Sequence, residues 1–139
     1  MDTETYEVPG KCTAASILEA FQAWTALNEG EESATWDGET FEDADEILER
    51  IQEGPLSVLV SYGWCQPGQF PEDGPEEYEI LLGTGGPAVR IFGRLNRYNE
   101  PDTAELQGQD WFKPWQATET TSEQDDAILW YARQFYFGG

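Results

Sequence analysis

The apolar period of the chain changes at Pro55, and that change limits the fold more than any other feature. Before it, Ile17, Ala20, Phe21, Trp24 and Leu27, and then Ala44, Ile47, Leu48 and Ile51, recur every three or four residues, the spacing that gathers side chains on one face of a helix. After it, Leu56, Val58, Val60 and Tyr62 alternate with Ser57, Leu59 and Ser61, the period of two that marks a strand. Helices followed by strands, without interleaving, predict an α+β domain rather than a parallel α/β sheet.

The local signals refine this. Ser16 with Glu19 three residues on reads as a capping box, and Asn28-Glu29-Gly30 as the stop of the first helix. Glu31 to Glu42 reads as acidic loop. A second helix is expected over roughly Asp43 to Gln52, ended by Gly54-Pro55, with Glu46 paired to Arg50 at i, i+4. Tyr78, Ile80 and Leu82 alternate with Glu77, Glu79 and Leu81. Val89, Ile91 and Leu95 alternate with Arg90, Phe92 and Arg94, so two strands of an antiparallel hairpin join through Gly83 to Pro87. Ala104 to Gln107 supplies a short fourth strand. Ser122, with Asp125 at N3, opens a last helix on which Ala127, Ile128, Tyr131, Ala132 and Phe135 share a side. The expectation is one α+β domain over residues 1–139, with a small antiparallel sheet of three or four strands, two N-terminal helices and one C-terminal helix on its core face.

Charge decides what such a domain can bind. The chain carries 28 Asp and Glu against 7 Lys and Arg, with no His, for a net charge of −21. Six Trp, six Tyr and seven Phe set it apart from a disordered acidic tail. A field of this sign repels nucleic acid and anionic membranes and attracts basic protein grooves. Without His, the commonest general base near neutrality is missing, so no catalytic residue and no enzyme activity is expected. No apolar run reaches membrane-span length, and the MDTETYEVPGK start lacks the basic and apolar regions of a signal peptide, so a cytoplasmic location is expected.

Motif by motif, the chemistry stays thin. Gly83 to Gly86 follows a strand, yet Pro87 and the alternation after it mark a hairpin turn rather than a phosphate loop. Asp43 to Glu46 and Asp125-Asp126 lack the Gly and terminal Glu of a calcium loop and read as solvated helix ends, so no metal and no cofactor is assigned. Cys12 and Cys65 show no ligand or redox spacing and read as free thiols, with a disulfide between them left open. Arg90 and Arg94 are expected to face Glu79 and Glu105 across the sheet. Trp111 and Trp115, in Gln109 to Trp115, read as core packing or as partial aromatic anchors for a protein partner.

The strings TGGPAVRIFG (Thr84 to Gly93), QDWFKPW (Gln109 to Trp115) and ARQFYFG (Ala132 to Gly138) resemble a group of small uncharacterised proteins carried by bacteriophages and plasmids. The resemblance covers about the C-terminal half, implies a mobile-element setting and brings no catalytic residue.

The acids are not evenly spread. Glu29, Glu31, Glu32, Asp37, Glu39, Glu42, Asp43, Asp45, Glu46, Glu49 and Glu53 place eleven carboxylates in 25 residues, opposed only by Arg50. A row of carboxylates one helical turn apart repeats every 5 to 6 Å or so, the same order as the phosphates of a DNA strand. The expected function is therefore a DNA-mimicking inhibitor of a bacterial defence nuclease, of restriction or CRISPR type. Its partner would be a basic nucleic-acid-binding protein of the host. An immunity protein against a basic nuclease, or a salt-adapted acidic protein, shares the charge and stays open at this point, as does the oligomeric state.

Overall fold

In the computed structural model, residues 8–64, 66–68, 74–83, 87–110 and 113–137 are described. The first helix, α1 (Lys11–Asn28), starts at Gly10, not at Ser16. Its buried side is Ala14, Ile17, Ala20 and Ala23, so small residues let neighbouring elements approach closely, and Gly30 adopts the left-handed conformation just past its end. Ser16 and Glu19 have another task. Ser16 Oγ accepts the Trp36 indole N–H at 3.1 Å, and Glu19 Oε1 accepts the Asp37 backbone N–H at 2.9 Å.

Those bonds hold a hairpin where the sequence reading placed only loop. β1 (Ala34–Trp36) and β2 (Glu39–Phe41) pair with Ala34 opposite Phe41 and Trp36 opposite Glu39, leaving Asp37-Gly38 as a two-residue turn. Both turn residues have positive φ, 54° and 75°, the geometry that favours Asp-Gly in tight hairpins. Trp36 and Phe41 are buried with ring centroids 6.0 Å apart, and they anchor the hairpin to the core. Next comes α2 (Ala44–Glu53), capped by the Asp43 carboxylate, which accepts the Asp45 N–H at 3.0 Å. Ile47 and Ile51 are its buried stripe.

Among the described residues the main sheet has five antiparallel strands in sequential order, more than the three or four expected: β3 (Ser57–Ser61), β4 (Glu77–Gly83), β5 (Ala88–Arg94), β6 (Glu105–Gln109) and β7 (Gln116–Ala117). The extra strand β7 is two residues long and pairs Gln107 with Ala117, too short for alternation to reveal. The turn expected between β4 and β5 falls mostly on residues 84–86, outside the described residues. Two glycines are required by close packing. A Cβ on Gly93 would overlap the Thr103 carbonyl, which accepts the Tyr78 hydroxyl at 2.6 Å, and one on Gly108 would overlap the Pro9 carbonyl.

The last helix, α3 (Ser122–Ala132), opens one residue earlier in its capping logic than expected. Thr121, not Ser122, is the cap: its Oγ1 accepts the Gln124 N–H while Gln124 Oε1 accepts the Thr121 N–H. Ala127, Ile128, Tyr131 and Ala132 are buried as the stripe requires. Together with Tyr78, Ile80, Ile91 and Leu106 from one face of the sheet, and with the buried sides of α1 and α2, they form a single hydrophobic cluster. Tyr78 packs on Phe137 at 4.8 Å between centroids, and Phe21, Trp24 and Trp130 form an aromatic group where α1 meets α3. Among the described residues no helix is long and apolar enough to cross a membrane.

Candidate functional site

All eleven carboxylates of the acidic stretch are exposed, and along the chain they run from the end of α1 through the hairpin to α2, here called the acidic path. Glu29 sits at the end of α1, Glu31 and Glu32 on the way to β1, Asp37 in the hairpin turn and Glu39 on β2. Glu42 and Asp43 lead into α2, whose outward side carries Asp45, Glu46, Glu49 and Glu53. Asp45, Glu49 and Glu53 are four residues apart, which stacks them along one edge of the helix at intervals of about 6 Å. Every one of them lies opposite the Ile47 and Ile51 stripe that fixes α2 to the core, so the row is mounted on a packed element.

Two of the eleven have structural duties. Asp43 caps α2, and Glu39 is bound by Arg50, whose guanidinium meets both carboxylate oxygens at 2.9 and 3.1 Å. The expected i, i+4 partnership of Arg50 with Glu46 is thus replaced by a bidentate pair to Glu39, because the hairpin, absent from the sequence reading, brings a carboxylate opposite the planar fork. The consequence is electrostatic. The single cation of the stretch is turned to the hairpin, and eleven carboxylates less one guanidinium leave a charge of −10 over residues 29–53.

The aromatic candidates fall elsewhere. Trp111 lies outside the described residues. Trp115 is half-buried on the sheet face opposite the helices, its ring centroid 4.3 Å from the Arg90 guanidinium carbon, with Phe92 at 4.8 Å from the same carbon. Arg90 also pairs with Glu79 at 2.6 Å and donates to Gln107 Oε1 at 2.8 Å. The cross-strand partner expected from Glu79 is present, whereas Glu105 accepts from Gln107 instead. Trp115 therefore belongs neither to the core under α3 nor to the acidic path.

Among the described residues no three Cys, Asp or Glu side chains gather closely enough to hold a metal ion. Asp125, one of the carboxylates weighed as a cation ligand, accepts a short bond from the Thr120 hydroxyl at the start of α3. Cys12 is an exposed free thiol near the start of α1, and Cys65 lies outside the described residues. An open cleft of about 740 Å³ is lined by Glu76, Glu77, Arg94 and Arg97 among others, a mixed-charge surface distinct in character from the acidic path.

The feature missed in the sequence is the hairpin, and its signal was available: Asp37-Gly38 between Thr35-Trp36 and Glu39-Thr40-Phe41 is the strongest short-range hairpin mark there is. No family model, curated protein or solved structure matches this chain.

Proposed function

We propose that the protein is an acidic binding protein of a phage or plasmid that occupies the DNA-binding groove of a basic host nuclease, a restriction or CRISPR effector, in place of DNA. One observation carries the reading: eleven exposed carboxylates run from the end of α1 through the hairpin to α2, with the only cation of that stretch committed to Glu39. A groove built to neutralise phosphates meets there a row of fixed negative charges with a spacing of the same order. Its own counterions are released on binding, so association weakens steeply with salt.

Uneven charge supports this over a salt-adapted coat. Gly54 to Pro71 contains no charged residue at all, directly after the most acidic part of the chain. A coat selected only for hydration in brine has no reason to leave such a gap. The test is capture of partners from a bacterial lysate on immobilised protein at low salt, followed by competition with duplex DNA. A nuclease that elutes with rising salt and is displaced by DNA supports the proposal. A partner that DNA does not displace, or no charge-dependent partner at all, contradicts it.

A further inference from the structure

The charge-free stretch coincides with an open sheet edge. Among the described residues β3 pairs with β4 on one side only and is the first strand in the sheet order, so every second residue turns its N–H and C=O away from the sheet. Its register fixes the faces: Val58 opposite Ile80 and Val60 opposite Tyr78 point to the helix side, and Leu59 opposite Glu79 points to the other. Yet these side chains are only partly covered. Val58 and Val60 each remain 37 % exposed, Leu59 56 % and Leu56 60 %, and Trp64 is fully exposed. Natural edge strands are guarded by charge, proline or a bulge, and none of these interrupts Ser57 to Ser61.

The occupant is indicated by the residues themselves. Ser57-Val58-Leu59-Val60-Ser61 reads the same in both directions, which is what a two-fold, self-complementary contact requires. We propose that two copies of this chain pair β3 to β3, antiparallel, about an axis through Leu59, to form a continuous ten-stranded sheet. Leu59 then faces Leu59 of the second copy, Val58 faces Val60, Ser57 faces Ser61 and Leu56 faces Tyr62. Each pair lies on a common face, so the helix layers of both copies stay on one side and the valines cover each other. The pairing is symmetric about its centre, so it closes whichever alternation of backbone groups β3 turns outward.

Charge, which opposes association of two molecules at −21 each, is thin along the strand itself. β3 has none, Glu79 behind it is neutralised by Arg90 at 2.6 Å, Glu77 stands opposite Arg94 in register, and the Glu76 carboxylate lies beside Gly63, past the end of β3. The exposed apolar surface extends beyond the strand: the fully exposed Trp64 follows β3, and this register carries it toward Gly54 and Pro55 of the other copy. The inference does not depend on the proposed function, since it concerns a different surface.

The test is sedimentation of the purified full chain at about 0.15 M salt, where charges are screened beyond about 8 Å, and again at higher salt. The wild type should sediment as a concentration-dependent dimer whose fraction rises with salt. Leu59→Glu, which places two like charges on the axis at an exposed position, should be monomeric with an unchanged circular dichroism spectrum and thermal melt, and Leu59→Gln should be intermediate. In a background with Cys12 and Cys65 replaced by Ser, Leu59→Cys should cross-link on oxidation while Ser57→Cys should not. A wild type that is monomeric in both salts, an assembly unaffected by Leu59→Glu, or equal cross-linking at the two positions overturns the proposal.

Discussion

Arg50 and Glu39 are joined by a two-pronged ion pair across eleven residues of sequence, at 2.9 and 3.1 Å, tying α2 to the hairpin that precedes it. Both side chains are about half exposed, so the pair is worth at most about 1 kcal/mol. Its value is positional. Arg50→Gln should leave the thermal melt within that margin while speeding hydrogen exchange of the Glu39 and Phe41 amides, which the register turns toward β1, and, if the acidic path is the binding surface, it should not weaken capture of a basic partner, because it makes the face more negative.

Replacement of Glu42, Asp45, Glu49 and Glu53 together by Gln or Asn should keep the fold, since none of the four touches the Ile47 and Ile51 stripe. If the acidic path is the binding surface, the quadruple variant should lose the captured nuclease and show a flatter dependence of the remaining affinity on salt. Changing Glu100, Asp102 and Glu119, also exposed but off the path, should do far less. Calorimetric titration against the captured partner measures both.

Thr121 and Ser122 offer a test of where α3 begins. Thr121→Ala removes the hydroxyl half of the capping box, leaving the backbone N–H of residue 121 to donate to Gln124 Oε1, and should cost about 1 kcal/mol, while Ser122→Ala, inside the helix, should change stability by a few tenths at most. Urea unfolding of the two variants side by side decides it.

Stability should fall in alkali for a specific reason. Burial pushes the Tyr131 hydroxyl up to about 12 and raises Tyr78 further, the nearby Arg133 opposing only part of the second shift. Unfolded tyrosine ionises near pH 10 or so, so the contribution is intact below that and declines as pH rises through the folded value. Each tyrosine adds a slope of up to about 1.4 kcal/mol per pH unit. Tyr131→Phe should reduce the slope of unfolding free energy between about pH 10 and pH 12 without removing it, since Tyr78 remains.

Gly93 should not tolerate a methyl group. A Cβ there meets the Thr103 carbonyl and lies 2.9 Å from the Tyr78 ring, and backbone cannot yield as a flexible side chain would. Gly93→Ala should cost about 3 kcal/mol, the upper range of overpacking. Gly83→Ala, with open space around it, should be close to neutral in a denaturant titration.

How much of this was legible depended on whether a signal was local or relational. The stripes of Ile47 and Ile51, of Ala127, Ile128 and Tyr131, and of Tyr78 and Ile80 were readable because burial imposes a period on the sequence. The acidic positions were readable too, and all eleven are exposed. Ser16 and Glu19 were misread because a side-chain oxygen able to cap its own helix can equally accept from a distant N–H, and only the fold decides which donor arrives. Leu56, Val58, Val60 and Tyr62 carried a correct strand period, but period reveals only that two faces differ. It does not tell whether a strand is central or last in the sheet, and β3 is last.

The pins from Ser16 to Trp36 and from Glu19 to Asp37 bear on speed. If the acidic path is the binding surface, a partner docking on it has little to order, because the hairpin and α2 are already fastened to the core, and the barrier to productive encounter is mostly orientational. Rigid, like-charged surfaces of this kind associate quickly when the opposing field draws them in, up to about 10⁸ M⁻¹s⁻¹ or more at low salt. Removing the pins with Ser16→Ala and Glu19→Ala would leave nearly all of the charge in place yet make such a partner wait for the hairpin to find its position.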